Sequence, residues 1–266
     1  MSFDWFWRLF RRPTVKPDPV PAIAEDIRIG ASLHLGWTAV DQKGYNGWAG
    51  ACPGCDIDAM SMCDLFKSLG VPTTILLNEQ ATWEAVQKAA LEIAKSIDPK
   101  TIFVITESGH GGQVRDDNGD EKDQWDETVC MWDQQVRDDH VMELFRKFPV
   151  GLPVVLISDQ CHSPGNFRAV PPRVASPIIK PMRYRARGAG WNGPLIQFAG
   201  CKEDGFSYGG DEGGTWTQAL LKTFVPNMTW KQWYDAAARE MDRDQVPMWV
   251  EFGNVTTGFR NGIIRK

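Results

Sequence analysis

Short aliphatic runs alternate along this chain with longer stretches in which apolar positions recur every three or four residues. Ile27–Leu35, Thr73–Leu77, Thr101–Thr106, Val154–Ile157, Leu195–Ala199 and Met248–Phe252 read as strands. Between them, Ala59, Met62, Phe66 and Leu69 share one face of a helix over about 56–69 that Gly70 stops. Thr82 is an N-cap candidate for a second helix, in which Trp83, Val86, Ala90, Ile93 and Ile97 repeat until Asp98-Pro99. Val141, Leu144, Phe145 and Phe148 mark a third over about 139–148, and two more follow at about 215–223 and 229–241. Val154-Val155-Leu156-Ile157 has no polar alternation, as expected of a strand covered on both faces. Strands alternating with helices predict an α/β fold, a mostly parallel central sheet between two helical layers.

At 266 residues with 42% hydrophobic content the chain suits one well-buried domain, assigned to residues 25–266. Residues 1–24 stand apart as a tail, aromatic and basic over 1–12 and holding four prolines from Pro13 to Pro21. Its apolar part is too short to span a bilayer. A membrane-surface or partner-docking contact through residues 1–12 is one use of such a tail, and packing against its own domain or serving as an accessory arm is the preferred one. A net charge of −5 leaves no electrostatic footprint for nucleic acid. With no signal peptide read ahead of them, the six cysteines are expected as free thiols in a reducing cytoplasm.

Two strands end in chemistry. Val154–Ile157 runs into Ser158-Asp159-Gln160-Cys161-His162-Ser163, and Thr101–Thr106 runs into Glu107-Ser108-Gly109-His110-Gly111-Gly112. In open α/β sheets ligands bind beyond the carboxyl ends of the strands. If the two strands are parallel neighbours, Cys161 and His110 reach the same edge. A thiol of ordinary acidity is a weak nucleophile at neutral pH, and an adjacent imidazole activates it by taking its proton. Structural roles, a buried apolar cysteine and a satisfied core histidine, are the alternative. Cys52-Pro53-Gly54-Cys55 is a Cys-x-x-Cys pair, but zinc needs two more ligands and His34 is the only local candidate. Residues 113–139 form an acidic insertion, and 164–192 a Pro-, Arg- and Gly-rich loop.

Ser108-Gly109-His110-Gly111-Gly112 and Ser158-Asp159-x-Cys161-His162-Ser163 resemble the metacaspase and orthocaspase branch of the caspase-like cysteine peptidases. Gly54-Cys55-Asp56-Ile57-Asp58-Ala59, Asn118-Gly119-Asp120-Glu121, Asp126-Glu127-Thr128, Asp138-Asp139 and Ala199-Gly200-Cys201 extend the likeness in family order, over roughly 28–255. The resemblance implies a three-layer α/β/α sandwich and a cysteine endopeptidase. In that reading Cys161 is the nucleophile, His110 the base and then the acid, and the backbone N–H groups of Gly111 and Cys161 hold the oxyanion. Positions matching Cys55, Asp58, Ser108 and Asp159 line the pocket for a basic residue, so protein or peptide substrates with Arg or Lys before the cut are expected. Asp126, Asp138 and Asp139 match calcium positions, which makes calcium a stimulating and not an obligatory cofactor. The usual fourth acid is replaced around Arg168 and Ala169. Glu107 stands where the family usually has an aromatic, and Pro164 interrupts the usual Cys-His-Ser-Gly run. A monomer is expected, and self-cleavage at Arg183, Arg185 or Arg187 follows from basic side chains tethered just after the nucleophile. The competing class is a caspase-fold scaffold without activity.

Overall fold

The structure, a computed structural model, describes residues 28–115, 124–160, 193–201 and 208–265. Ten strands and six helices lie among these residues. The strands are β1 (Ile29–Gly36), β2 (Thr73–Leu77), β3 (Ile102–Arg115), β4 (Trp125–Cys130), β5 (Gln135–Arg137), β6 (Val154–Gln160), β7 (Leu195–Ala199), β8 (Gly209–Gly210), β9 (Gly213–Gly214) and β10 (Met248–Phe252). The helices are α1 (Cys55–Ser68), α2 (Trp83–Ser96), α3 (Asp138–Arg146), α4 (Thr215–Thr223), α5 (Trp230–Glu240) and α6 (Thr257–Arg260).

The central sheet runs β10-β7-β6-β3-β1-β2. Its inner pairs are parallel, as the alternating pattern predicts, and β10 closes one edge antiparallel to β7. Period-2 alternation divides each strand between two cores. Leu33, Leu35, Phe103, Ile105, Val154 and Leu156 point into the layer with Val86, Ala90, Leu144 and Phe145 of α2 and α3. Val104, Val155, Ile157, Ile196 and Phe198 point into the layer with Phe66 of α1, Trp216 of α4 and Trp233 of α5. Fully burying an aliphatic or Phe side chain of this kind contributes about 1.5–3 kcal/mol, so both helical layers are held by many such terms.

The local signals act as expected at the helix ends. Gly70 takes φ +75° just past α1, a conformation that costs glycine little. The Thr82 hydroxyl accepts from the Ala85 N–H at 3.2 Å and caps α2. The expected acidic insertion is different. β3 does not stop before His110 but continues to Arg115, then pairs antiparallel with β4, and β4 with β5. Val129 and Val136, both buried in the α2/α3 layer, supply the reason: the hairpin has an apolar face of its own. Helix α3 accordingly begins at Asp138, directly from β5.

Candidate active site

The β3–β6 register is what brings the two motifs together. Its last pairs are Ser108 with Asp159 and Gly109 with Gln160, the residues immediately before His110 and Cys161. Cys161 itself, like Arg183, Arg185 and Arg187, lies outside the described residues. His110 is 9% exposed, with its ring centroid 5.1 Å from that of Trp48. Its Nε2 lies 3.0 Å from the carbonyl oxygen of Ala51. A carbonyl only accepts, so Nε2 carries the hydrogen, and Nδ1 is the basic nitrogen of the neutral ring. Ala51 therefore fixes both the tautomer and the tilt of the imidazole. Sequence reasoning missed it because a backbone carbonyl has no side-chain signature.

Asp58, on the first turn of α1, and Asp159, near the end of β6, are 3% and 1% exposed. The Ser108 hydroxyl donates to Asp58 Oδ2 at 2.7 Å, and the Gly214 N–H lies 2.9 Å from both Asp58 oxygens. The Thr217 N–H and hydroxyl donate to Asp159 Oδ2 at 2.8 and 2.9 Å. Both carboxylates thus sit at the N-terminal end of α4, where unsatisfied N–H groups favour negative charge. Gly213 and Gly214 leave room for them: a Cβ on Gly213 would collide with Asp58 Oδ1, and one on Gly214 with Asp159 Oδ2. Burial, then the charge of Asp159, hold the Asp58 carboxyl well above the usual carboxylate range, against the pull of the Ser108 and Gly214 bonds. Three of the four sequence-predicted pocket residues, Asp58, Ser108 and Asp159, meet here. The α4 N-terminus that cradles them was not anticipated, although Gly213-Gly214 before Thr215 was a legible signal of close backbone approach.

On the opposite face of the same strands, the Ser158 hydroxyl and Gln160 Nε2 donate to Glu107 Oε1 at 2.7 and 3.2 Å, all three being buried. Glu107 so fastens the last described residues of β6, directly ahead of Cys161, to β3.

A profile of the caspase domain matches residues 39–254. The chain belongs to the caspase-domain family. Among solved structures it is similar to the crystal structure of protein GSU0716 from Geobacter sulfurreducens, with a TM-score of 0.75, 30% identity, and coverage of 88% of this chain and 97% of that one. It is 32% identical over 127 residues to metacaspase-1 of Schizosaccharomyces pombe, covering 42% of this chain and 30% of the relative. It is 26% identical over 197 residues to metacaspase-1 of Yarrowia lipolytica, covering 56% and 42%. The aligned part of this chain thus spans less than half the length of these curated relatives.

One expectation changes within this caspase domain. Cys52 and Cys55 are joined as a disulfide with Cα atoms 6.1 Å apart, not two free thiols, while Cys63 and Cys130 are free and buried. Cys55 is therefore half of a bridge. His34 is no zinc ligand: it is fully buried between Thr106 Oγ1 and Ser32 Oγ, each at 2.8 Å, and burial aided by Lys67 pushes its pKa down to about 3. Of the matched calcium positions, Asp126 lies 3.3 Å from Arg137 Nε. Asp138 is pushed up to about 8, chiefly by burial and then by Glu127, Asp139 and Asp126. Among the described residues no group of three His, Cys, Asp or Glu side chains converges to hold a metal ion. Nor is any described helix long and apolar enough to cross a membrane.

Proposed function

We propose that this caspase domain is a cysteine endopeptidase that cuts after Arg or Lys. The observation that carries the reading is the pair of buried carboxylates, Asp58 and Asp159, at the strand edge where His110 is held by the Ala51 carbonyl. A guanidinium or ammonium entering between the two acids would be gripped by charge-assisted bonds, and a P1 carboxylate would be repelled by the same pair. With the P1 side chain anchored, the scissile carbonyl would lie over Cys161. The His110 imidazole takes the thiol proton, the thiolate attacks the carbonyl carbon, and the protonated ring then gives its proton to the leaving amine. The N–H groups of Gly111 and Cys161 are the proposed oxyanion donors. Water, activated by the same neutral imidazole, hydrolyses the acyl-enzyme.

Calcium enters as a stimulus. The acids around Asp138 repel one another, which a hard cation would relieve, but Arg137 already answers Asp126. As arranged, the side chains fall short of a full ligand set, and no catalytic step depends on the ion. Self-processing at Arg183, Arg185 or Arg187 completes the proposal. The test is turnover of fluorogenic peptides with basic or acidic P1, with and without calcium, by wild type, Cys161→Ala and His110→Ala. Cleavage after Arg or Lys by wild type alone supports the proposal. Equal turnover by Cys161→Ala, or preference for acidic P1, refutes it.

A further inference from the structure

We propose that Cys52 and Cys55 form a reversible disulfide site, opened by a dithiol reductant, whose bridge holds the base and the acidic pocket in register. The Cα separation of 6.1 Å lies inside the range that disulfides use, about 4.4–6.8 Å. Cys55 is the first residue of the 14-residue helix α1, so negative charge on its sulfur faces the positive end of the helix and Cys55 is the sulfur that leaves. The bridge closes a loop with contacts in three directions. Ala51 accepts from His110 Nε2 at 3.0 Å, and the Cys52 N–H donates to the Thr38 carbonyl at 2.7 Å. The Gly54 carbonyl accepts from the Asp58 N–H at 3.0 Å. Gly54 itself, at φ +84°, presses on Gly210 and Gly213 so closely that a Cβ would collide with both. Five residues, 51–55, therefore touch the imidazole, the carboxylate helix and the glycine turn that cradles the carboxylates. With the bridge intact they move as one piece. Once it opens, the long Cys55 N–H to Cys52 carbonyl bond, at 3.4 Å, is left to close the loop onto α1, and the hold of Ala51 on His110 weakens.

The chemistry balances as thiol–disulfide exchange. One thiolate of the dithiol attacks the Cys52 sulfur, the Cys52–Cys55 bond breaks, and Cys55 departs as a thiolate. The second thiol of the reductant then attacks its own sulfur in the mixed disulfide and releases Cys52. Two electrons pass to the pair, each cysteine gains a proton, and the reductant becomes a disulfide.

The catalytic consequence rests on the function proposed above, but the bridge and its grip on His110 do not, so the test uses the full chain carrying Cys161→Ala. The protein is equilibrated in mixtures of reduced and oxidised dithiothreitol. Iodoacetamide in denaturant then blocks free thiols, and N-ethylmaleimide labels those freed by later reduction. Peptide mapping should find N-ethylmaleimide on Cys52 and Cys55 together after the oxidising mixtures, and iodoacetamide on both after the reducing ones. The four histidines are followed in parallel by nitrogen-15 NMR. The His110 ring resonances should shift with the same midpoint as the labels, and stay fixed in Cys161→Ala combined with Cys52→Ser. Iodoacetamide on both cysteines in every mixture would overturn the site. A bridge that forms and breaks without moving His110 would overturn its coupling to the base. Failure of the peptidase reading would instead appear in wild-type turnover, with these two readouts unchanged.

Discussion

Replacing Asp58 by Asn isolates the charge of the pocket from its shape. The amide keeps an oxygen for the Gly214 N–H, and its NH2 can donate to the Ser108 oxygen in place of the bond that Ser108 now donates. The fold is therefore expected to persist. Coupling between close charge pairs shielded from water measures about 1.5–7 kcal/mol. Here part of that is offset, because the raised Asp58 carboxyl must first lose its proton. The lower end, about 1.4–2.8 kcal/mol, is the expected loss, which is roughly tenfold to a hundredfold in kcat/KM for an Arg substrate. The assay compares matched peptides with P1 Arg and P1 citrulline, an uncharged isostere. In wild type the Arg/citrulline ratio should climb with pH: a carboxyl held above its ordinary value is neutral at low pH and offers the cation its charge only as it ionises. In Asp58→Asn the ratio should be flat with pH and, where the wild-type carboxyl is ionised, at least about tenfold smaller. An unchanged ratio, or a wild-type ratio that falls as pH rises, would refute the reasoning.

Asp138, folded near 8 against about 3.9 for an unfolded Asp, binds its proton more tightly in the native state, so stability is lost as pH rises between those values. Urea midpoints at about pH 5 and about pH 8.5 should differ less in Asp138→Asn than in wild type, and an identical pH dependence would contradict this. Glu107→Leu removes the acceptor of the buried Ser158 hydroxyl, at about 1–3 kcal/mol, and one bond of Gln160, so its unfolding free energy should drop by at least about 1–3 kcal/mol while Glu107→Gln loses less. A Leu variant as stable as wild type in urea would show that Glu107 does not fasten β6. Self-processing predicts a nick among Arg183, Arg185 and Arg187 that mass spectrometry finds in active wild type and not in Cys161→Ala; the same nick in both would exclude it.

The scaffold was legible because its signals are local. Unbroken aliphatic runs such as Val154–Ile157 gave the buried strands, Gly70 and Thr82 gave the helix ends, and the two motifs that follow the Thr101–Thr106 and Val154–Ile157 runs gave a shared edge. What escaped depends on tertiary contact. The extension of β3 through His110 rests on a hairpin whose apolar face is spread over Val129 and Val136, with the polar run 116–123 between its strands obscuring the pairing. Asp58 and Asp159 were readable as acids, but their donors come from Gly214 and Thr217, dozens of residues later in the chain. Free thiols were inferred for Cys52 and Cys55 from expected compartment, a consideration that local loop geometry at the start of α1 overrides.

The most direct measurement is covalent trapping. An Arg-terminated peptide acyloxymethyl ketone is incubated with wild type, His110→Ala and Asp58→Asn, and the labelled residue is located by peptide mapping. The account predicts modification of Cys161 alone in wild type, slowed at least about tenfold in each variant, and little reaction with the matching Asp-terminated reagent. Labelling of Cys161 no faster than of Cys63 or Cys130, or faster with the Asp reagent, would contradict it.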